Sequence, residues 1–159
     1  MFTAACFNHA PVIGSTLERM VEFENLLLGV ADQTCAKVHA WVLLPNHYHF
    51  LARTEDCLGV IAALGKLHGG TSFRWNGEEG TRGRQVWCRA SETVMKSDRH
   101  FWATINYIHH NPVKHGHVKK WQHWPFGSAV IYLKTVGSEE AQRTWNEYPI
   151  GTYGEEWDP

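Results

Sequence analysis

The stretch Val42-Leu43-Leu44-Pro45-Asn46-His47-Tyr48-His49-Phe50-Leu51 decides the fold. Apolar residues stand on both sides of Pro45-Asn46, and that dipeptide marks a turn. The flanking runs, Lys37 to Leu44 and His47 to Arg53, read as two strands of an antiparallel hairpin. Side chains alternate faces along a strand, so His47, His49 and Leu51 point one way. Tyr48 and Phe50 point the other way, towards a hydrophobic side. Two imidazoles two residues apart on one face can share a metal ion. Tyr48 is therefore badly placed to act beside them, although it lies nearest in sequence.

Working outward, Phe2 to Phe7 is a short apolar run of strand formers. Gly14-Ser15-Thr16 supplies a helix N-cap. Leu17, Met20, Val21, Leu27, Leu28 and Ala31 then fall at helical spacing and form a core-facing stripe. A second helix is expected from Cys57 to about Asn76, with Val60, Ile61, Leu64, Leu67 and His68 on its apolar side. Gly65, Gly69 and Gly70 weaken it, each by roughly 1 kcal/mol against alanine. Asn76 to Arg84 is a glycine-rich flexible loop, and Gln85 to Met95 reads as a further strand. The order β-α-β-β-α-β is that of a ferredoxin-like split βαβ arrangement. The fold class is α+β: an antiparallel sheet with helices on one face and the other face available for chemistry.

An extra helix starts at Ser97, a good N-cap. Pro112 is expected to end it, because the residue before a proline avoids the helical region. Tyr107 and Asn111 lie four apart, so they stack on one face of this helix. A nucleophile and a neutral oxygen ligand can be presented together. The same spacing turns His109 and His110 away from the face of Tyr107. Trp121, Trp124 and Phe126 are expected to pin the following segment to the body. Residues 1–133 are read as a single domain. Residues 134–159 are read as a tail that either wraps it or is mobile, with exposed-looking Trp145, Tyr148, Tyr153 and Trp157.

Composition narrows the function classes. A chain of 159 residues can bury a proper core. Eight tryptophans, seven phenylalanines and five tyrosines are a heavy aromatic load: some must be core, and an excess also suits stacking on unpaired bases, with packing the alternative for any single one. Net charge is −1, yet Arg82, Arg84, Arg89, Lys96, Arg99, Lys114, Lys119 and Lys120 face only Glu92 and Asp98 in their stretch. A local basic surface is enough to bind phosphates. Cys6, Cys35, Cys57 and Cys88 form no Cys-x-x-Cys pair, which disfavours a structural zinc site. The sequence shows no signal peptide and no twenty-residue apolar run, so it reads as cytosolic with reduced thiols.

Several blocks together carry a family resemblance. Trp41 to Phe50 resembles the histidine-strand motif of the HUH endonuclease superfamily. Val86-Trp87, Ser97 to Trp102, Tyr107-Ile108-His109-His110-Asn111-Pro112-Val113-Lys114-His115-Gly116 and Trp124-Pro125-Phe126-Gly127-Ser128 are similar to its single-tyrosine transposases. The nearest subgroup is the REP-associated tyrosine transposases, and the likeness runs from Phe2 to Leu133. In that family some residues usually precede the first strand.

The resemblance implies Tyr107 as catalytic nucleophile, with His47, His49 and Asn111 as ligands of Mg²⁺ or Mn²⁺. It implies cleavage and rejoining of single-stranded DNA beside a hairpin, through a 5′-phosphotyrosine. It also implies that the second helix faces DNA; the small residues there let a phosphate backbone approach closely, so that Lys66, Thr71, Ser72 and Arg74 could donate to phosphates. Arg84, Arg89, Arg99 and Lys114 extend that basic surface. A monomer or a homodimer at the bacterial nucleoid, with no membrane partner, completes the expectation. Two other readings stay open: a hairpin-DNA-binding regulator without catalysis, and a metal-dependent phosphodiesterase using activated water.

Overall fold

The computed structural model describes residues 1–154; Trp157, with Glu155, Glu156 and Asp158, lies outside the described residues. Four strands form one antiparallel sheet: β1 (Phe2–Ala5), β2 (Lys37–Leu43), β3 (His47–Arg53) and β4 (Ser91–Glu92). Their spatial order is β2-β3-β1-β4. The helices are α1 (Leu17–Thr34), α2 (Cys57–Glu78), α3 (Asp98–Lys114), α4 (Ala129–Val136) and α5 (Ser138–Glu147). The expected β-α-β-β-α-β order is thus present, as an α+β fold with the ferredoxin-like strand arrangement.

Local chemistry starts each long helix. The Thr16 side chain accepts from Arg19 N at the start of α1. Asp56 accepts from Gly59 N at the start of α2, and Ser97 accepts from His100 N at the start of α3. Each cap satisfies a backbone donor that has no partner within the helix. The helix α1 buries Met20, Phe23, Leu27 and Ala31. Leu17 and Val21, placed in the core stripe by spacing, are exposed instead. The buried face is centred on Phe23, which lies outside that stripe.

The helices α1 and α2 cover one face of the sheet. There Phe2, Ala4, Tyr48 and Phe50 pack against Phe23, Leu27, Leu64, Trp75 and Trp87. Each such side chain contributes about 1.5–3 kcal/mol by leaving water. The second face is not open as expected. It is covered by α3, whose Ile105, Tyr107 and Ile108 pack with Ala40, Val42, Leu44 and Leu51. Apolar residues on both faces of β2 and β3 require a cover on both.

The strand read over Gln85–Met95 shortens to Ser91–Glu92. An isolated bridge pairs Cys6 with Trp87, and Thr3 pairs with Ser91. Three residue steps on β1 therefore oppose four on its neighbour. One extra residue interrupts the ladder, as in a β-bulge. The helix α3 likewise does not stop before Pro112 but runs on to Lys114. Proline lacks one N–H, but the Pro112 carbonyl still accepts from His117 N at 2.9 Å.

Past α3, Phe126 O accepts from Leu43 N, and Ser128 N donates to Trp41 O, both at 3.0 Å. The Trp124 indole donates to Leu43 O at 2.9 Å. This segment lies along the outer edge of β2 and covers it. Residues of the C-terminal part expected at the surface are half-buried. Trp145 packs on His110, Tyr148 stacks on Trp102, and Tyr153 meets Tyr107. Among the described residues no helix is long and apolar enough to cross a membrane, and all four cysteines are free.

Candidate active site between the sheet and the third helix

The strand β3 places His47 and His49 on the α3 side of the sheet, 5.0 Å apart by ring centroids. Their register fixes their neighbours: Ala5 stands opposite His47, and Thr3 opposite His49. The Thr3 hydroxyl meets His49 Nδ1 at 2.8 Å. His49 Nε2 then faces the Tyr107 hydroxyl at 3.4 Å. One turn further along α3, Asn111 Oδ1 faces His47 Nε2 at 3.0 Å. The helical pair and the strand pair therefore meet across the layer, and all four side chains are buried.

A relay orients His47. Asn46 Nδ2 donates to His9 O at 3.2 Å, which turns its Oδ1 towards His47 Nδ1 at 2.8 Å. An amide oxygen only accepts, so the imidazole carries its proton on Nδ1. Nε2 then presents a lone pair to Asn111 Oδ1. Two cis ligands of an octahedral ion at about 2.1 Å lie roughly 3 Å apart, so this separation fits a shared cation. Both rings also have Nδ1 engaged, as metal-ligating histidines usually do. The candidate donors are two imidazoles and an amide. Among the described residues no group of three His, Cys, Asp or Glu forms a metal cluster.

Two neighbours, His115 and Thr3, are given no role by the sequence. The His115 ring lies 4.9 Å from that of His47. It follows Asn111 by four residues, so helical spacing could have found it. Lys114, read as a phosphate contact, also sets its Nζ 5.7 Å from the centre of the Tyr107 ring. Thr3 becomes visible only once β1 is paired with β3. A third element closes over the phenol. Tyr153 is held by Thr104 at 2.9 Å and His100 at 3.2 Å. Gly154 follows at φ +91°, where a Cβ would sit 2.5 Å from Tyr107 Cε2. Tyr107 is 1% exposed as a result.

The expected DNA contacts separate into groups. Thr71 is a correction: it is buried, donates to the carbonyls of Leu67 and His68, and accepts from the Trp87 indole. Its hydroxyl has nothing left for a phosphate. Arg74 is paired with Glu22 at 2.7 Å, and Arg84 with Glu79 at 2.7 Å. Both belong to a charge-compensated cluster joining α1 and α2, on the far side of the sheet from His47. Lys66, Arg89, Arg99 and Lys114 are exposed. Arg99 stands twelve residues before Asn111, about 18 Å along the helix. His109 and His110 turn from Tyr107: His109 Nε2 meets Ser128 Oγ at 2.9 Å, and His110 lies on Trp145.

Comparison with known proteins bears on this arrangement. No protein-family model matches the chain. A Haemophilus influenzae protein assigned by name to the REP-associated tyrosine transposases is 24% identical over 148 residues, covering 84% of this chain and 82% of that protein. The REP-associated tyrosine transposase of Escherichia coli K12 is 30% identical over 98 residues, covering 58% of this chain and about half, 53%, of its own. Over most of its length the chain is thus similar to REP-associated tyrosine transposases. A solved structure of such a transposase, bound to a REP hairpin, superposes with a TM-score of 0.58 at 24% identity. It covers 80% of this chain and 73% of that one, and supports the fold. The family resemblance of Trp41–Phe50 and Tyr107–Gly116 thus agrees with the wider likeness, and transposase and DNA-binding themes attach to this group.

Proposed function

We propose that this protein is a metal-dependent single-strand DNA endonuclease with strand-transfer activity. It would cut and rejoin DNA beside a hairpin through a 5′-phosphotyrosine on Tyr107. One observation carries the reading. The Tyr107 hydroxyl and the Asn111 amide arrive from α3 at the Nε2 atoms of His49 and His47. The transposase names of the relatives, and the hairpin bound by the structural neighbour, agree with it.

His47, His49 and Asn111 would hold the ion. Amide oxygen and water suit Mg²⁺, and two imidazoles shift preference towards Mn²⁺. When bound, such an ion polarises the oxygens of the scissile phosphate. Asn46 and Thr3 fix the two rings, so the donors are in place before the ion arrives. A phenol has a pKa of about 10, so Tyr107 is a weak nucleophile until its proton leaves. Its oxygen forms the new bond to phosphorus while the bond to the 3′-oxygen breaks. That oxygen takes up a proton and becomes a free 3′-OH. The phosphotyrosine keeps the ester for rejoining, when a 3′-OH attacks and the phenol is restored. Tyr107 is buried, so the segment Ile150–Gly154 has to lift from it before a phosphate can approach. Lys114 and Arg99 lie on α3 and would contact the strand's phosphates.

The test is direct. Full-length protein is incubated with labelled single-stranded hairpin DNA and Mn²⁺ and run on a denaturing gel. A covalent band that disappears in Tyr107→Phe supports the proposal. Cutting without attachment identifies a phosphodiesterase. Binding with neither identifies a non-catalytic regulator.

A further inference from the structure

A cavity of about 410 Å³ lies on the other side of α3 from the sheet, between α3, α4 and α5. Its size falls within the usual range for small-molecule sites. Three aromatic side chains line it: Trp121, Tyr132 and Trp145. Trp121 stacks on His109 with an interplanar angle of 13°, and Trp145 packs on His110. Gln122 and Gln142 also line it. Two lining groups are buried without a hydrogen-bond partner among the described residues: the Tyr132 hydroxyl and His110 Nδ1. Such orphaned groups are rare in folded proteins and call for a partner.

We propose that this cavity takes one unpaired nucleobase of the bound strand. The inference rests on the DNA reading above and adds a second contact to it. Flat aromatic walls stack on any base, while hydroxyl, imidazole and amide groups read its edge. The location suits the same strand that reaches Tyr107. His110 follows Tyr107 by three residues, and the helix between the two faces is only about 10 Å across. Lys119 and Lys120, both exposed, precede Trp121 and offer charge to the flanking phosphates. A small metabolite would not need that basic approach.

The probe is single-stranded DNA of random sequence carrying 5-iodouracil, with the full-length protein. Ultraviolet light should cross-link it to Trp121, Tyr132 or Trp145, as read by mass spectrometry. Trp145→Ala should weaken binding by about tenfold, the usual effect of losing one stacking partner. Tyr132→Phe, which keeps the packing, should weaken it several-fold, and this loss should vanish on an abasic strand. Cross-links confined to the Tyr107 side, with both variants binding like wild type, would overturn the cavity assignment and leave the proposed function standing. Failure of the wild type to bind any strand or hairpin would overturn both.

Discussion

Two tyrosines, one on each face of the sheet, set a hydroxyl against an imidazole Nε2. Tyr48 meets His68 at 3.0 Å, and Tyr107 meets His49 at 3.4 Å. Both phenols are buried. The difference lies in what stands behind each pair. Behind Tyr48 and His68 are Phe23, Phe50 and Trp87, with the His68 ring stacked on Trp87 at 4.2 Å. Burial pushes the Tyr48 phenol far up and holds His68 down to about 4. That pair is neutral and locked. Behind Tyr107 and His49 are His47, Asn111, His115 and Lys114, a set that can gather cations and anions. A tyrosine–histidine contact alone thus says nothing about catalysis; the neighbours decide.

The comparison breaks most sharply by deleting each hydroxyl. Tyr107→Phe should abolish the covalent DNA adduct while the protein stays folded. Tyr48→Phe should keep the adduct but lower unfolding free energy by about 1–3 kcal/mol, because His68 Nε2 loses its partner. Urea melts beside the denaturing gel check both. An adduct in Tyr107→Phe would reverse the roles.

Acid should act on the locked pair and, on α3, on buried His109. The folded values of His68 and His109 are both depressed by burial to about 4, against 6.5 when free. Between those two values the unfolded chain binds more protons than the folded one. Stability should therefore be flat above about pH 6.5 and fall as the pH drops towards about 4. The loss is on the order of 3 kcal/mol per histidine as an upper bound. Urea midpoints across that window test it, and His68→Gln should flatten the slope.

Smaller effects sharpen the polar side. Thr3→Val removes the partner of His49 Nδ1. Losing such an outer hydrogen bond should weaken Mn²⁺ binding by about tenfold in calorimetry. Gly154→Ala places a methyl against the Tyr107 ring at a left-handed backbone position. A cost of ~1 kcal/mol is expected, with greater solvent access of the phenol by hydroxyl-radical footprinting.

Much of this was legible beforehand because it rests on short periodicities. Period two along His47–Leu51 separated the histidines from Tyr48, and helical spacing joined Tyr107 to Asn111. What escaped depends on contacts between distant segments. Thr3 reaches His49 only through pairing of β1 with β3, and Gly154 reaches Tyr107 across forty-seven residues. Thr71 looked like a surface hydroxyl because glycines crowd that helix, yet its rotation turns it onto Trp87. The strand read over Gln85–Met95 had the right composition. The extra residue between Trp87 and Ser91 was invisible without its partner strand.

The imidazoles lie at the far end of α3: His115, beside His47, is the residue that caps its C-terminus. That end of a helix carries about half a negative charge from its aligned peptide dipoles, worth roughly 0.3–1 kcal/mol to a nearby cation. Phosphates usually settle at the opposite, amide-rich end. On the proposed function, a DNA phosphate approaching Tyr107 would meet a mildly repelling field, offset by Lys114 in the last turn. The helix that delivers the phenol favours a divalent ion and penalises the bare anion, so occupancy by one should raise affinity for the other.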